Sequence, residues 1–187
     1  MKKLKTYVLT VRTTFPVTHP RKGDQTYFVE KIQKALGMLV ELPGDAVIDL
    51  DEKRHTVRAN YEYWEKCMKE VQAGRAIISL RYWKGKPRQK GSKLIEFATL
   101  NKDSGCGVQK IHLVDHGSFM YSLISNPNQD PHIHSDCVDY KEIKHCIGLN
   151  NTIAVNDGLT YRDFKAWFKG YDFSKSMAVI HFTKFRY

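Results

Sequence analysis

The sequence has no run of about 20 apolar residues, the length needed to cross a bilayer. Its basic start, Met1 to Lys5, leads into an apolar stretch that stops at Arg12, too short for the core of an export signal. No membrane partner is therefore expected, and a cytoplasmic location is. Cysteine is scarce: Cys67, Cys106, Cys137 and Cys146 are dispersed, without C-x-x-C spacing. That excludes the disulfide scaffold of a secreted mini-protein and fits free thiols in a reducing compartment. No glycine-rich turn leads from a strand into a helix, which argues against a doubly wound dinucleotide-binding sheet. Internal repeats and low-complexity tracts are also missing. Acidic residues are the minority charge, 20 against 30 basic ones for a formal +10. Such an excess favours polyanionic partners through long-range attraction and counterion release.

What is present reads as one folded unit. A chain of 187 residues, 42% hydrophobic and 12% aromatic, can bury a core. Tyr7 to Thr14 is rich in β-branched residues and predicts a strand, followed by a loop through Pro16, Pro20 and Gly23. From Asp24, taken as the N-cap, Phe28, Val29, Ile32, Ala35 and Leu36 fall on one helical face, with Gly37 as the stop. Tyr61, Trp64, Met68 and Val71 predict a second helix, ended by Gly74. Arg75 to Trp83, Leu94 to Leu100 and Val108 to Val114 predict three strands. Thr160 and Asp163 have the spacing of a capping box for a short helix through Phe164, Trp167 and Phe168. Met177 to Tyr187 predicts a closing strand. Residues 115–150 show no period and carry Pro127 and Pro131, so they read as an insertion with some helix around Tyr140 to Cys146. The expected organisation is a single domain, 1–187, of α+β class, with strands curled into a barrel and helices at its side.

Three groups of residues carry possible chemistry. In Lys53-Arg54-His55-Thr56-Val57-Arg58, four groups can donate to an anion or a carbonyl with a hydroxyl among them; a solvated basic turn is the equal alternative. The second group runs from Arg81 to Lys93 and contains Arg81, Lys84, Lys86, Arg88, Lys90 and Lys93, no acid, and the aromatics Tyr82 and Trp83. Such a loop can hold phosphates while Trp83 stacks on an unpaired base, or it is a hairpin tip with Trp83 in the core. The third is His132-x-His134-x-x-Cys137 with His145 and Cys146 downstream. These are zinc-type ligands, but the spacing matches no standard finger, and neither metal nor cofactor is expected.

In this order the motifs resemble the ASCH family, whose signature G-x-K-x-x-T-x-R is matched by Lys53, Thr56 and Arg58, with Asp51 where the family has glycine. The resemblance continues through the Gly74 to Trp83 strand, Asn156-Asp157-Gly158-Leu159 ahead of Asp163-Phe164-x-x-Trp167, and the closing Val179 to Phe182. It covers about two thirds of the chain. It implies a PUA-like, mainly antiparallel β-barrel with flanking helices, and a site facing a cleft. The family includes suspected RNA-binding modules and enzymes resembling N4-acetylcytidine amidohydrolases, which use a Lys, a Thr and a carboxylate. By position these fall on Lys53, Thr56 and Asp157, the last an Asp where the enzymes have Glu. The leading expectation is a module binding RNA or single-stranded DNA, with Arg58, Arg81, Trp83, Lys84, Lys86, Arg88, Lys90 and Lys93 in contact. The alternatives are a hydrolase of a modified nucleoside, or a nuclease, using Lys53, Thr56 and Asp157, and a protein-interaction adaptor using residues 115–150.

Overall fold

The computed structural model describes residues 4–40, 50–87, 89–115, 120–124 and 151–187. Among the described residues, two sheets and four helices make an α+β fold. The elements run β1 (Lys5–Val11), α1 (Phe28–Ala35), β2 (His55–Ala59), α2 (Tyr61–Gln72), β3 (Ala76–Lys84), β4 (Lys93–Leu100), β5 (Gly107–Asp115) and β6 (Met120–Ile124). A helix α3 follows over 151–156, then α4 (Tyr161–Trp167) and β7 (Met177–His181).

The expected barrel is not what forms. Three strands make one sheet in the order β1-β3-β4, and four make another in the order β2-β7-β5-β6. No closed barrel is found among the described residues. The strands beginning near Tyr7, Arg75, Val108 and Met177, expected in one curled sheet, are divided two and two between these sheets. Moreover β1 and β3 run parallel, with Tyr7 opposite Ile78 and Leu9 opposite Leu80. The physical reason lies at the edges: β1 and β2 are terminal strands of their sheets, and no backbone ladder joins them. Across that gap the Arg58 Nη2 donates to the Thr10 carbonyl at 2.8 Å, a side-chain bond where a barrel would have main-chain ones.

One apolar core serves both sheets. Leu9 and Val11 of β1, and Ile78 and Leu80 of β3, join Val57, Ile111, Val179 and Ile180 from the second sheet. The α2 face Cys67-Met68-Val71 is buried against β3, β5 and β7, so one helix ties the sheets together. Strand β7 is buried at every position, as befits a central strand covered on both faces.

Local signals explain most boundaries. Helix α2 is capped by Asn60, whose side chain accepts from the Tyr63 amide. Thr160 accepts from Asp163 N at 3.1 Å, as the capping-box spacing anticipates. Helix α1 departs from expectation: it begins at Phe28 with Tyr27 as a left-handed N-cap and no side-chain cap. Asp24 instead pairs with Arg21 at 3.1 Å, so the loop keeps the residue that the sequence assigns to the helix.

Candidate functional site

Lys53 lies just before β2, in a segment tied on two sides. Its amide donates to the Lys31 carbonyl at 3.1 Å, and the Arg54 amide donates to the Asn156 carbonyl at 2.8 Å. The second bond brings the start of β2 against the end of α3, where Asp157 stands. Gly158 makes that approach possible. It holds φ +74°, and a Cβ there would meet Lys53 Cβ at 3.2 Å and Lys31 Cδ at 3.3 Å. The Lys53 side chain is 1% exposed. Its ammonium donates to the Asp157 carboxylate and, at 2.5 Å, to the Asp157 carbonyl. It also lies 4.3 Å from the centre of the Phe28 ring.

Burial decides the charge of this pair. It pushes the Lys53 pKa down to about 8; the Asp157 charge opposes the shift, and Arg58 and Lys31 add to it. Burial likewise raises the Asp157 pKa against the pull of Lys53 and Arg58. Burial thus displaces both groups towards neutrality, while their mutual attraction holds them charged.

Within β2, alternation separates Thr56 and Arg58 from His55, whereas Lys53 and Arg54 precede the strand and are aimed by the loop. Thr56 and Arg58 face a cleft of about 580 Å³, which Lys53 and Asp157 also line. Its other walls include Thr10 to Thr14, Phe28, Trp83, Gly85 to Pro87 and Trp167. Arg54 turns away to Glu52, at 2.9 Å. His55 is buried: its Nδ1 lies 3.2 Å from the Tyr187 hydroxyl, and its ring sits 5.6 Å from that of His181. Both ring nitrogens of His181 lack a hydrogen-bond partner among the described residues. Burial lowers the pKa of His55 well below normal and that of His181 to about 3, so both are neutral parts of the interior.

The basic stretch divides as well. Arg81, Trp83 and Lys84 are on β3 and Lys93 is on β4, with Lys84 opposite Lys93, so the loop itself is only a hairpin tip. Trp83 and Lys86 line the cleft. Lys84, Lys90 and Lys93 are exposed beyond its walls. Arg81 is held by Ser79 Oγ at 2.6 Å and Glu96 at 3.4 Å, which leaves it a structural ion pair on the sheet. Arg88 lies outside the described residues, as do most of the 115–150 segment and its His132, His134, Cys137, His145 and Cys146. His19 and Arg21, at the start of the chain, are bound to Asp163 of α4, with Arg21 Nη1 at 2.9 Å from Oδ2. They fasten the loop rather than line the cleft.

Sequence reasoning missed Thr10, Arg12, Thr13, Phe28 and Trp167 as cleft residues. Phe28 and Trp167 carried the signature of helix faces turned to the core, and they do pack together, with ring centres 5.5 Å apart. Arg12 was visible only as the charge ending an apolar run. That charge, at the exit of a strand, was the available signal.

Fold and site together define an α+β protein with an aromatic-walled, cation-rich cleft between the free edges of two sheets. No family model matches the sequence, and comparison with curated proteins and with solved structures likewise finds no match. No helix among the described residues is long and apolar enough to cross a membrane.

Proposed function

We propose that the cleft receives one nucleotide of RNA or single-stranded DNA, with the β3–β4 hairpin tip gripping the neighbouring phosphates. One observation carries this reading: Lys53, Thr56, Arg58 and Asp157, remote from Trp83 and Lys86 in sequence, line the same cavity with them. About 580 Å³ falls within the range of small-ligand sites, which combine apolar walls with a few polar groups that orient the ligand. Trp83 and Trp167, both half-buried, offer ring surface for a base. The Lys53–Asp157 pair offers a donor and a carboxyl to its polar edge. The resemblance of Lys53, Thr56 and Arg58 to the ASCH signature supports the same reading.

The test is an equilibrium titration of a labelled single-stranded RNA oligonucleotide against wild type and a Lys84→Ala, Lys86→Ala, Lys90→Ala variant across a salt series. Weaker binding and a flatter salt slope are expected, by about 0.7 for each phosphate of a single strand that the variant no longer neutralises. An unchanged slope would remove the hairpin from the site.

A second reading, amide hydrolysis on a modified nucleoside, is favoured by the lowered Lys53 pKa. A free Lys53 amine can deprotonate the Thr56 hydroxyl, whose oxygen attacks the acyl carbonyl to form an ester, and Asp157 can carry the proton to the departing amine. Water then releases the acid and restores the enzyme. Turnover of N4-acetylcytidine by wild type, abolished in Lys53→Met and Asp157→Asn variants with intact folds, would raise this reading above simple binding. In that case kcat/KM should rise with pH and level off above about 8, as Lys53 loses its proton.

A further inference from the structure

The charges lining the cleft do not balance. Among the described residues, Arg12, Lys53, Arg58 and Lys86 are the cations of the wall and Asp157 its only carboxylate, and Lys53 already occupies it. Among the described residues, the Arg12 guanidinium has no ion pair or hydrogen bond, and Arg58 makes only its bond to the Thr10 carbonyl. That bond fixes Arg58 against β1, two residues before Arg12 on the same strand exit. Burial lowers the Arg58 pKa, Asp157 opposes the shift, and repulsion from Arg12 adds to it. Two guanidiniums share this wall with one carboxylate, Asp157, that is already bonded to Lys53; an anion relieves the excess charge, and the planar fork of each guanidinium is suited to phosphate oxygens. Thr13 and Thr14, also in this wall, can add hydroxyl donors.

We propose that Arg12 and Arg58 form a phosphate subsite on the β1 wall of the cleft, so that its ligand is a nucleotide carrying its phosphate rather than a free nucleoside. The proposal rests on the reading of the cleft as a nucleotide site. Thr10 acts as a positioning residue through its carbonyl, and Arg12 supplies a phosphate donor that the ASCH-like signature does not include. The hairpin tip, which continues the β3 strand paired with β1 (Val11 opposite Tyr82), then serves phosphates further along the nucleic acid strand.

Calorimetric titration of the full chain with the four ribonucleosides, their 5′-monophosphates, the methyl esters of those phosphates and ribose 5-phosphate tests this. A monophosphate, or its methyl ester as a stand-in for an in-strand phosphate, should bind about tenfold or more tightly than its nucleoside. Arg12→Gln should remove that advantage without changing nucleoside affinity, and Arg12→Lys should restore part of it. Arg12 is exposed, so the melting temperature should not move and a folding defect cannot imitate the result. Equal affinity for nucleoside and nucleotide, unaltered in Arg12→Gln, overturns the subsite and leaves the nucleotide cleft intact. Binding of ribose 5-phosphate that disappears in Arg12→Gln, with no gain from any base, supports the subsite and overturns the base-binding reading. Failure of every probe to bind overturns both.

Discussion

The two faces of β2 treat ionisable groups in opposite ways. On one face Thr56 and Arg58 meet the cleft, which Lys53 enters from the segment ahead of the strand, paired with Asp157. On the other, His55 is enclosed with His181 and covered by Tyr187, whose hydroxyl receives a hydrogen bond from Asn156 at 3.1 Å. The C-terminal residues close this second face. The Tyr187 amide donates to Gln109 at 3.0 Å, and Arg186 donates to the Gly105 carbonyl at 2.8 Å while lying over Gly107, where any Cβ would strike its guanidinium. Burial alone therefore does not mark function. Lys53 and His181 are both fully enclosed, but only Lys53 has a charged partner and an opening beside it.

The largest expected effect comes from breaking the Lys53–Asp157 pair. Asp157→Ala leaves a buried ammonium without its carboxylate and should destabilise the fold by about 3–5 kcal/mol. The double variant Lys53→Met, Asp157→Leu should recover most of that stability, because it removes both desolvated charges. Chemical denaturation of the three proteins measures the difference. A harmless Asp157→Ala would mean that the pair is open to water.

The closed face should respond to acid instead. The folded pKa of His181 is lowered from 6.5 to about 3, so between these values the unfolded chain binds the proton first. Stability then rises with pH through this window and is lost as pH falls below 6.5. The contribution reaches about 3 kcal/mol at pH 4. His181→Phe should flatten the acid limb of a melting-temperature profile relative to wild type. An identical acid limb in both proteins would show that His181 is hydrated.

These expectations also mark what the sequence could disclose. Helix α2, the Thr160 cap and strands β1, β3, β4, β5 and β7 were legible, because periodicity and capping are local properties. Strand β2 was not: Lys53-Arg54-His55-Thr56-Val57-Arg58 reads as a polar turn, and its strand character comes from pairing with β7, Val57 opposite Val179. The barrel failed for a related reason. Closure depends on whether two edges meet, and no local pattern in β1 or β2 reports that they stay apart. The gathering of Lys53, Thr56, Arg58 and Asp157 was anticipated by family resemblance, whereas the contribution of Arg12 needed the spatial arrangement.

The smallest effect tests the outward-facing member of the same run. Arg54 pairs with Glu52 at the surface, both partners well exposed. Arg54→Ala should alter stability by less than about 0.5 kcal/mol and leave oligonucleotide affinity unchanged. A marked drop in binding would mean that Arg54 leaves Glu52 to reach the ligand.

The central claim, that a nucleotide enters the gap between β1 and β2, can be tested with the protein's own fluorescence. Of its 3 tryptophans, Trp83 and Trp167 line the cleft and Trp64 lies on α2. A Trp64→Phe variant therefore reports from the cleft alone. Titration with a short single-stranded RNA should quench its emission saturably, with a midpoint matching that from polarisation of the labelled oligonucleotide, and Arg58→Gln should shift both midpoints together. Binding seen by polarisation while the emission of Trp83 and Trp167 stays constant would put the nucleic acid elsewhere on the surface and contradict the account.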